Sequence, residues 1–198
     1  LNKAFVLLKM QKYDEAVELM AQVVKENNDE PIAHYLYFRS LTDKGIATSD
    51  EYALNEALSV SATFANNHFD FRQEVMFLIA MVHQKLGASP EKMKQLIENI
   101  MRIDLKLTDL HVHDPQIDRQ AFNWVDYFHY CKVLGESVED YTQKLFLGFC
   151  FLKVQRSQDS KNLFEKLMAQ KTNDGILQAL YASSLFMIND VSQAKNAL

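Results

Sequence analysis

Three pairs of small residues, each twelve positions apart, constrain this chain more than any other feature: Ala4 with Ala16, Gly148 with Ser160, and Ala182 with Ala194. The last two pairs are offset from one another by 34 positions. A turn falls inside each pair, so each marks two short helices folded back on one another, with small side chains letting the backbones approach closely. A helical hairpin recurring every 34 residues has the period of a solenoid repeat. That architecture supplies a surface for another protein more often than a reaction.

The rest of the chain supports an all-helical reading. Glycine and proline are scarce, five and three in 198 residues, and the alternation of a half-buried strand is hard to find. The first helix is predicted to run to about Met10. Gln11-Lys12-Tyr13-Asp14 then makes a tight turn, and a second helix from Tyr13 to about Glu26 places Ala16, Val17, Met20, Val23 and Val24 on one face. Pro31 suits the first turn of a third helix, where its missing N–H is not needed; that helix is expected to reach Lys44, with Gly45 as a left-handed cap. Ser49 or Asp50 can cap a fourth helix carrying Tyr52, Ala53, Ala57 and Val60 inward. A fifth, from about Phe71 to Leu86, ends at Gly87, and Ser89-Pro90-Glu91 opens a sixth.

The stretch from Asp104 to Pro115 breaks this rhythm, being too long for a hairpin turn, and is a candidate contact loop. Helices then resume at Ile117 to Leu134, closed by Gly135, and at Ser137 to Val154, Ser157 to Gln170, Gly175 to Ile188 and Val191 onward. The count is eleven, in a single repeat domain over residues 1–198 whose register slips at 104–137.

Charge and cysteine content narrow the function. The net charge is -5 with 21 Lys and Arg, scattered along the chain, a poor basis for a counterion-releasing nucleic-acid surface. Cys131 and Cys150 each lie inside an apolar helical stretch and read as core filling, without a disulfide framework. The longest apolar run, Leu145 to Leu152, has eight residues against the roughly 20 that span a bilayer. The chain starts at Leu1 without Met and its last helix stops uncapped, so a longer parent chain is expected. Compartment stays open, with the cytoplasm favoured, and no cofactor is expected.

At the residue level the chain resembles the tetratricopeptide repeat (TPR) family. Leu147-Gly148 followed by Phe151, then Ser160, Phe164 and Leu167, follows the family pattern of a Leu-Gly pair and an aromatic on the first helix and one small and two large apolar residues on the second. Tyr13-Asp14-Glu15-Ala16 is similar to the family's opening of a second helix. Trp124, Tyr127 and Cys131 before Gly135 are similar to a first helix, and Ala182, Leu185 and Ala194 continue the frame. Two hairpins depart from it: about three extra residues precede Ala53, and Met93 stands where a small residue belongs. The resemblance implies an all-α, right-handed superhelical α-solenoid of antiparallel hairpins whose first helices line a concave groove.

Within that implied groove stand Tyr35 and Arg39; Phe77, Met81 and Gln84; Phe122, Val125, His129 and Lys132; and Leu145, Phe149 and Leu152. The set is mostly apolar and aromatic, which suits an amphipathic helix or an extended hydrophobic segment of a partner. Packing of the same residues against neighbouring helices is the alternative. His111-Val112-His113-Asp114, with Asp109 nearby, has metal-ligand residue types, yet no spaced third or fourth ligand accompanies it, and a solvated loop is the expectation. Phosphate-cradling glycine loops and nucleophile elbows are missing, and Cys131 with His129 two residues away diverge on a helix. The expected function is a non-catalytic protein-interaction scaffold. A ligand- or peptide-sensing regulatory domain and a helical accessory domain of an enzyme are the rivals.

Overall fold

The computed structural model describes residues 1–27, 29–64, 72–107, 124–170 and 173–197, and every described element is a helix. There are eleven: α1 Asn2–Lys9, α2 Tyr13–Glu26, α3 Pro31–Thr48, α4 Glu51–Phe64, α5 Arg72–Lys85, α6 Pro90–Leu107, α7 Trp124–Gly135, α8 Asp140–Lys153, α9 Ser157–Met168, α10 Gly175–Met187 and α11 Val191–Asn196. The fold is an all-α array of antiparallel helix hairpins, as the spacing of small residues predicts. None of the described helices is long and apolar enough to cross a membrane.

The chain divides into two compact units, Leu1–Ala88 and Ser89–Leu198. In the first, each helix packs on the next from α1 to α5, and α3 also packs on both α1 and α5. Contact between alternate helices is what stacks one hairpin on another. In the second, the sequential order runs from α7 to α11 and α8 also meets α10. The sequence frame takes the fifth and sixth helices as one hairpin, but the unit boundary falls between them. α6 finds its packing partners in α8 and α10, burying Met93, Ile97, Ile100 and Met101 at the spacing of a single helical face.

A common turn closes four helices. Gln11, Gly87, Gln155 and Asn189 all have left-handed backbone, with φ of 59°, 73°, 61° and 65°. The next residue donates its N–H back over the helix end: Lys12 to Leu7 O at 2.9 Å, Ala88 to His83 O at 2.9 Å, Arg156 to Phe151 O at 2.8 Å and Asp190 to Leu185 O at 2.9 Å. With the bonds that Gln11, Gly87, Gln155 and Asn189 themselves donate three residues back, this is the Schellman arrangement, which satisfies carbonyls the helix leaves open. Three of the four use a residue with a Cβ, at a cost of about 1 kcal/mol each.

The small-residue pairs are where two backbones come together. Ala4 and Ala16 are fully buried. At the second pair, the Ser160 Oγ donates to the Gly148 carbonyl oxygen at 2.8 Å, and a Cβ built on Gly148 would lie 2.3 Å from Phe164 Cε1. Glycine within a helix costs about 1 kcal/mol relative to alanine, and this approach of α8 to α9 is what offsets it. Gly45 corrects the expectation of a cap: α3 continues to Thr48 and Ser49 takes the left-handed conformation at φ 57°. The glycine serves close packing there too, since an added Cβ would stand 2.6 Å from the Leu54 side chain. Tyr52, expected to face inward, is 77% exposed; the inner face of α4 is Ala53, Leu54 and Ala57.

Helix starts follow the capping residues. Asp50 accepts from the Ala53 N–H at 3.1 Å, Ser89 from Lys92 N–H at 3.3 Å, and Asp174 from Ile176 N–H at 2.9 Å. Each satisfies a donor that the first turn leaves open.

Candidate functional site

On α3 and α5 the side chains in question form a charged cluster. Residues 35, 39 and 43 recur every four positions on α3 and so share one face. The Tyr35 hydroxyl donates to Glu74 Oε1 on α5. Arg39 Nη1 donates to the same carboxylate oxygen at 3.0 Å and to the Tyr35 hydroxyl oxygen at 3.2 Å, while Arg39 Nε lies 3.5 Å from Asp43 Oδ2. One guanidinium therefore stands between two carboxylates. Glu74 is 5% exposed, and burial pushes its carboxyl up to about 8; Arg39 pulls in the opposite direction. Burial also raises the Asp43 carboxyl, with Arg39 and Lys9 drawing it down. Desolvation is costly for each ion, so near neutral pH Glu74 keeps its proton while Tyr35 and Arg39 hydrogen-bond its oxygen.

The groove positions on these helices divide sharply by exposure. Phe77 is 0% exposed, and Tyr35 and Met81 are nearly as buried; their side chains lie in the interior of the unit rather than on an open face. The reason is the packing of α5 against α3 and α4, which covers the faces carrying them. Arg39 and Gln84 are half-buried and retain contact with solvent.

In the second unit, Phe149, Leu145 and Leu152 are likewise interior. Gly148 faces α9. Phe149 lies about 100° round the helix from it, stacked on Phe146 with ring centroids 5.9 Å apart, and α8 is surrounded by α6, α7, α9 and α10. His129 and Lys132 on α7 are exposed. At the C-terminal end of α8, Lys153 Nζ sits 5.6 Å from the Phe149 ring centroid and Arg156 Cζ 4.5 Å from that of Phe151, both within cation–π range. Arg156 Nε also donates to Asp159 Oδ2 at 2.7 Å. Sequence reasoning missed Glu74, Asp43, Lys153 and Arg156. Asp43 carried a usable signal, standing four positions after Arg39 on the same helix.

Phe122 lies outside the described residues, as do the side chain of Val125 and the segment Asp109 to Asp114 with its two histidines. Among the described residues no group of three or more His, Cys, Asp or Glu is arranged to hold a metal ion.

No protein-family model matches the chain, and no curated protein does. Among solved structures, a thermophilic TPR protein from Thermus thermophilus is similar at 20% sequence identity and a TM-score of 0.44, over 94% of this chain and 97% of that one.

Proposed function

We propose that this chain is a non-catalytic scaffold that holds a peptide or a helix of a partner protein along the faces of its first helices. The observation that carries this reading is the packing of α3 against both α1 and α5. Like helices set in a row give a surface longer than any single helix offers, which is how repeat proteins bind extended partners. The resemblance of Leu147-Gly148, Phe151, Ser160 and Phe164 to the TPR pattern supports it. In this reading Arg39 and Gln84 touch a partner segment held on the first unit, and His129 and Lys132 touch one held on the second, each unit taken by itself. Tyr35, Phe77, Met81 and Phe149 support those positions from beneath. Lys153 and Arg156, fixed over aromatic rings, add positive charge close to α8, so partner segments with acidic residues beside an apolar anchor are favoured.

A peptide array, followed by titration of the best binders against the full chain, tests this. The expectation is at least one peptide binding in the micromolar range, with affinity lowered about tenfold (about 1.4 kcal/mol) in a variant carrying Arg39→Ala and Lys132→Ala. If no peptide binds at that level, or the double variant binds as tightly as wild type, the proposal is overturned.

A further inference from the structure

The two cysteines, Cys131 on α7 and Cys150 on α8, are both free and buried. The helices that carry them pack together, and two contacts fix how they align. A Cβ added at Gly135 would stand 3.1 Å from Gln143 Cγ, and the rings of Phe128 and Phe151 have centroids 5.6 Å apart. Cys131 falls between Phe128 and Gly135, and Cys150 falls between Gln143 and Phe151. The two contacts thus bracket the cysteines on both arms of the hairpin, and Cys131 is near enough to add to burial in pushing the Cys150 thiol up. Exposure is 1% at Cys131 and 0% at Cys150. Two thiols, brought together from positions 19 residues apart, are enough for a disulfide and too few for a metal centre.

We propose that Cys131 and Cys150 form a reversible dithiol–disulfide couple that bolts α7 to α8, with a low-molecular-weight disulfide as the oxidant. One cysteine thiolate attacks the small disulfide, forming a mixed disulfide and expelling one small thiolate. The other cysteine thiolate then attacks the protein sulfur of that mixed disulfide, closing the Cys131–Cys150 bond and expelling the second small thiolate. The two cysteine protons end on the two small thiols, so two protein thiols are oxidised as one small disulfide is reduced. Because thiolate is the reacting species and burial pushes the Cys150 thiol up, exchange proceeds through opening of the hairpin. Closure of the bond restricts that opening. α7 also carries His129 and Lys132, so the bond fixes the helix that presents them; this consequence, unlike the couple itself, rests on the interaction reading.

The full chain is incubated with oxidised glutathione, once under native conditions and once in urea followed by refolding. Free thiols are then alkylated and the intact mass is measured. The expected product is a monomer that has lost two hydrogens, takes up no alkylating agent, regains both thiols with dithiothreitol, keeps its helical circular dichroism and melts about 5 °C higher than the reduced form. Cys131→Ser and Cys150→Ser each give only the glutathione adduct or a free thiol. Two alkylatable thiols surviving both treatments, cross-linked dimers alone, or an oxidised monomer that loses helix content or melts lower would each overturn the couple. Peptide binding by the reduced chain is read separately, so its failure counts against the scaffold reading alone.

Discussion

In residues 1–88, α3 meets α5 through charge, with Arg39 set between Glu74 and Asp43. In residues 89–198, α8 meets α9 through the lack of a side chain, with Gly148 against Phe164 and the Ser160 hydroxyl on the Gly148 carbonyl. Both join neighbouring helices of a repeat array, yet they respond to different perturbations. A charged contact depends on protonation and on having every partner present. A glycine contact depends on volume and is indifferent to pH. The difference teaches that one repeated backbone plan can be closed by unrelated chemistry, and that each closure has its own way of failing.

The largest expected effect is at the glycine contact. Gly148→Leu drives a side chain into the fully buried Phe164 ring and should destabilise by about 3 kcal/mol, read from urea denaturation. Gly45→Ala is the matched test in the first unit. Its new Cβ meets Leu54 Cγ at 2.6 Å and the Asp50 carbonyl oxygen at 3.2 Å, but only one methyl is added, so a smaller loss of about 1 kcal/mol is expected. A loss as large as that of Gly148→Leu would put the tighter contact in the first unit.

The charged contact should show itself through pH. Glu74 titrates near 8 in the folded chain and near 4.3 when unfolded. Between those values the folded state holds the extra proton, so this group's contribution to stability falls as pH rises through that window. Denaturation midpoints of wild type should drop from about pH 5 to about pH 8 more steeply than those of Glu74→Gln. Equal drops in the two would mean that the Arg39 guanidinium, 3.0 Å away, outweighs burial and keeps Glu74 ionised throughout that window.

The smallest effect belongs to the turns common to both units. Gln155→Gly, at a position held at φ 61°, should stabilise by about 0.5 to 1 kcal/mol, because glycine bears no Cβ penalty there. Calorimetry showing a loss instead would mean that the Gln155 side chain contributes more than the strain costs.

Much of the fold was legible because helix periodicity, small-residue spacing and capping residues are local signals. The starts at Pro31, Pro90, Ser157, Gly175 and Val191 were readable from capping residues or the frame. Gly45 misled because a glycine near the end of a helical pattern can serve as a cap or as a close contact, and only the position of Leu54 distinguishes them. The left-handed turns at Gln11 and Gln155 were hidden by side chains that do not advertise that conformation, whereas Asn189 is of a type that does. The candidate site was less legible. Tyr35 and Arg39 were picked out from the helix face, but their partner Glu74 lies 35 positions beyond Arg39, and no local rule links them. Burial of Phe77 and Phe149 depends on which helices flank α5 and α8, a property of tertiary packing.

The placement of α6 sets an order of events for a chain that emerges from its N-terminus. In residues 1–88 each helix meets its immediate or next-but-one predecessor, so structure can grow as synthesis proceeds. α6 ends at Leu107, whereas the helices that cover it, α8 and α10, begin at Asp140 and Gly175. Among the described helices, its apolar face of Met93, Ile97, Ile100 and Met101 therefore gains its first cover when α8 emerges and its last only when the chain has grown from Leu107 past Gly175. At a synthesis rate of about 5 to 20 residues per second that interval lasts several seconds. The second unit thus carries a built-in delay, and with it an exposed hydrophobic helix in the newborn chain, which the first unit avoids.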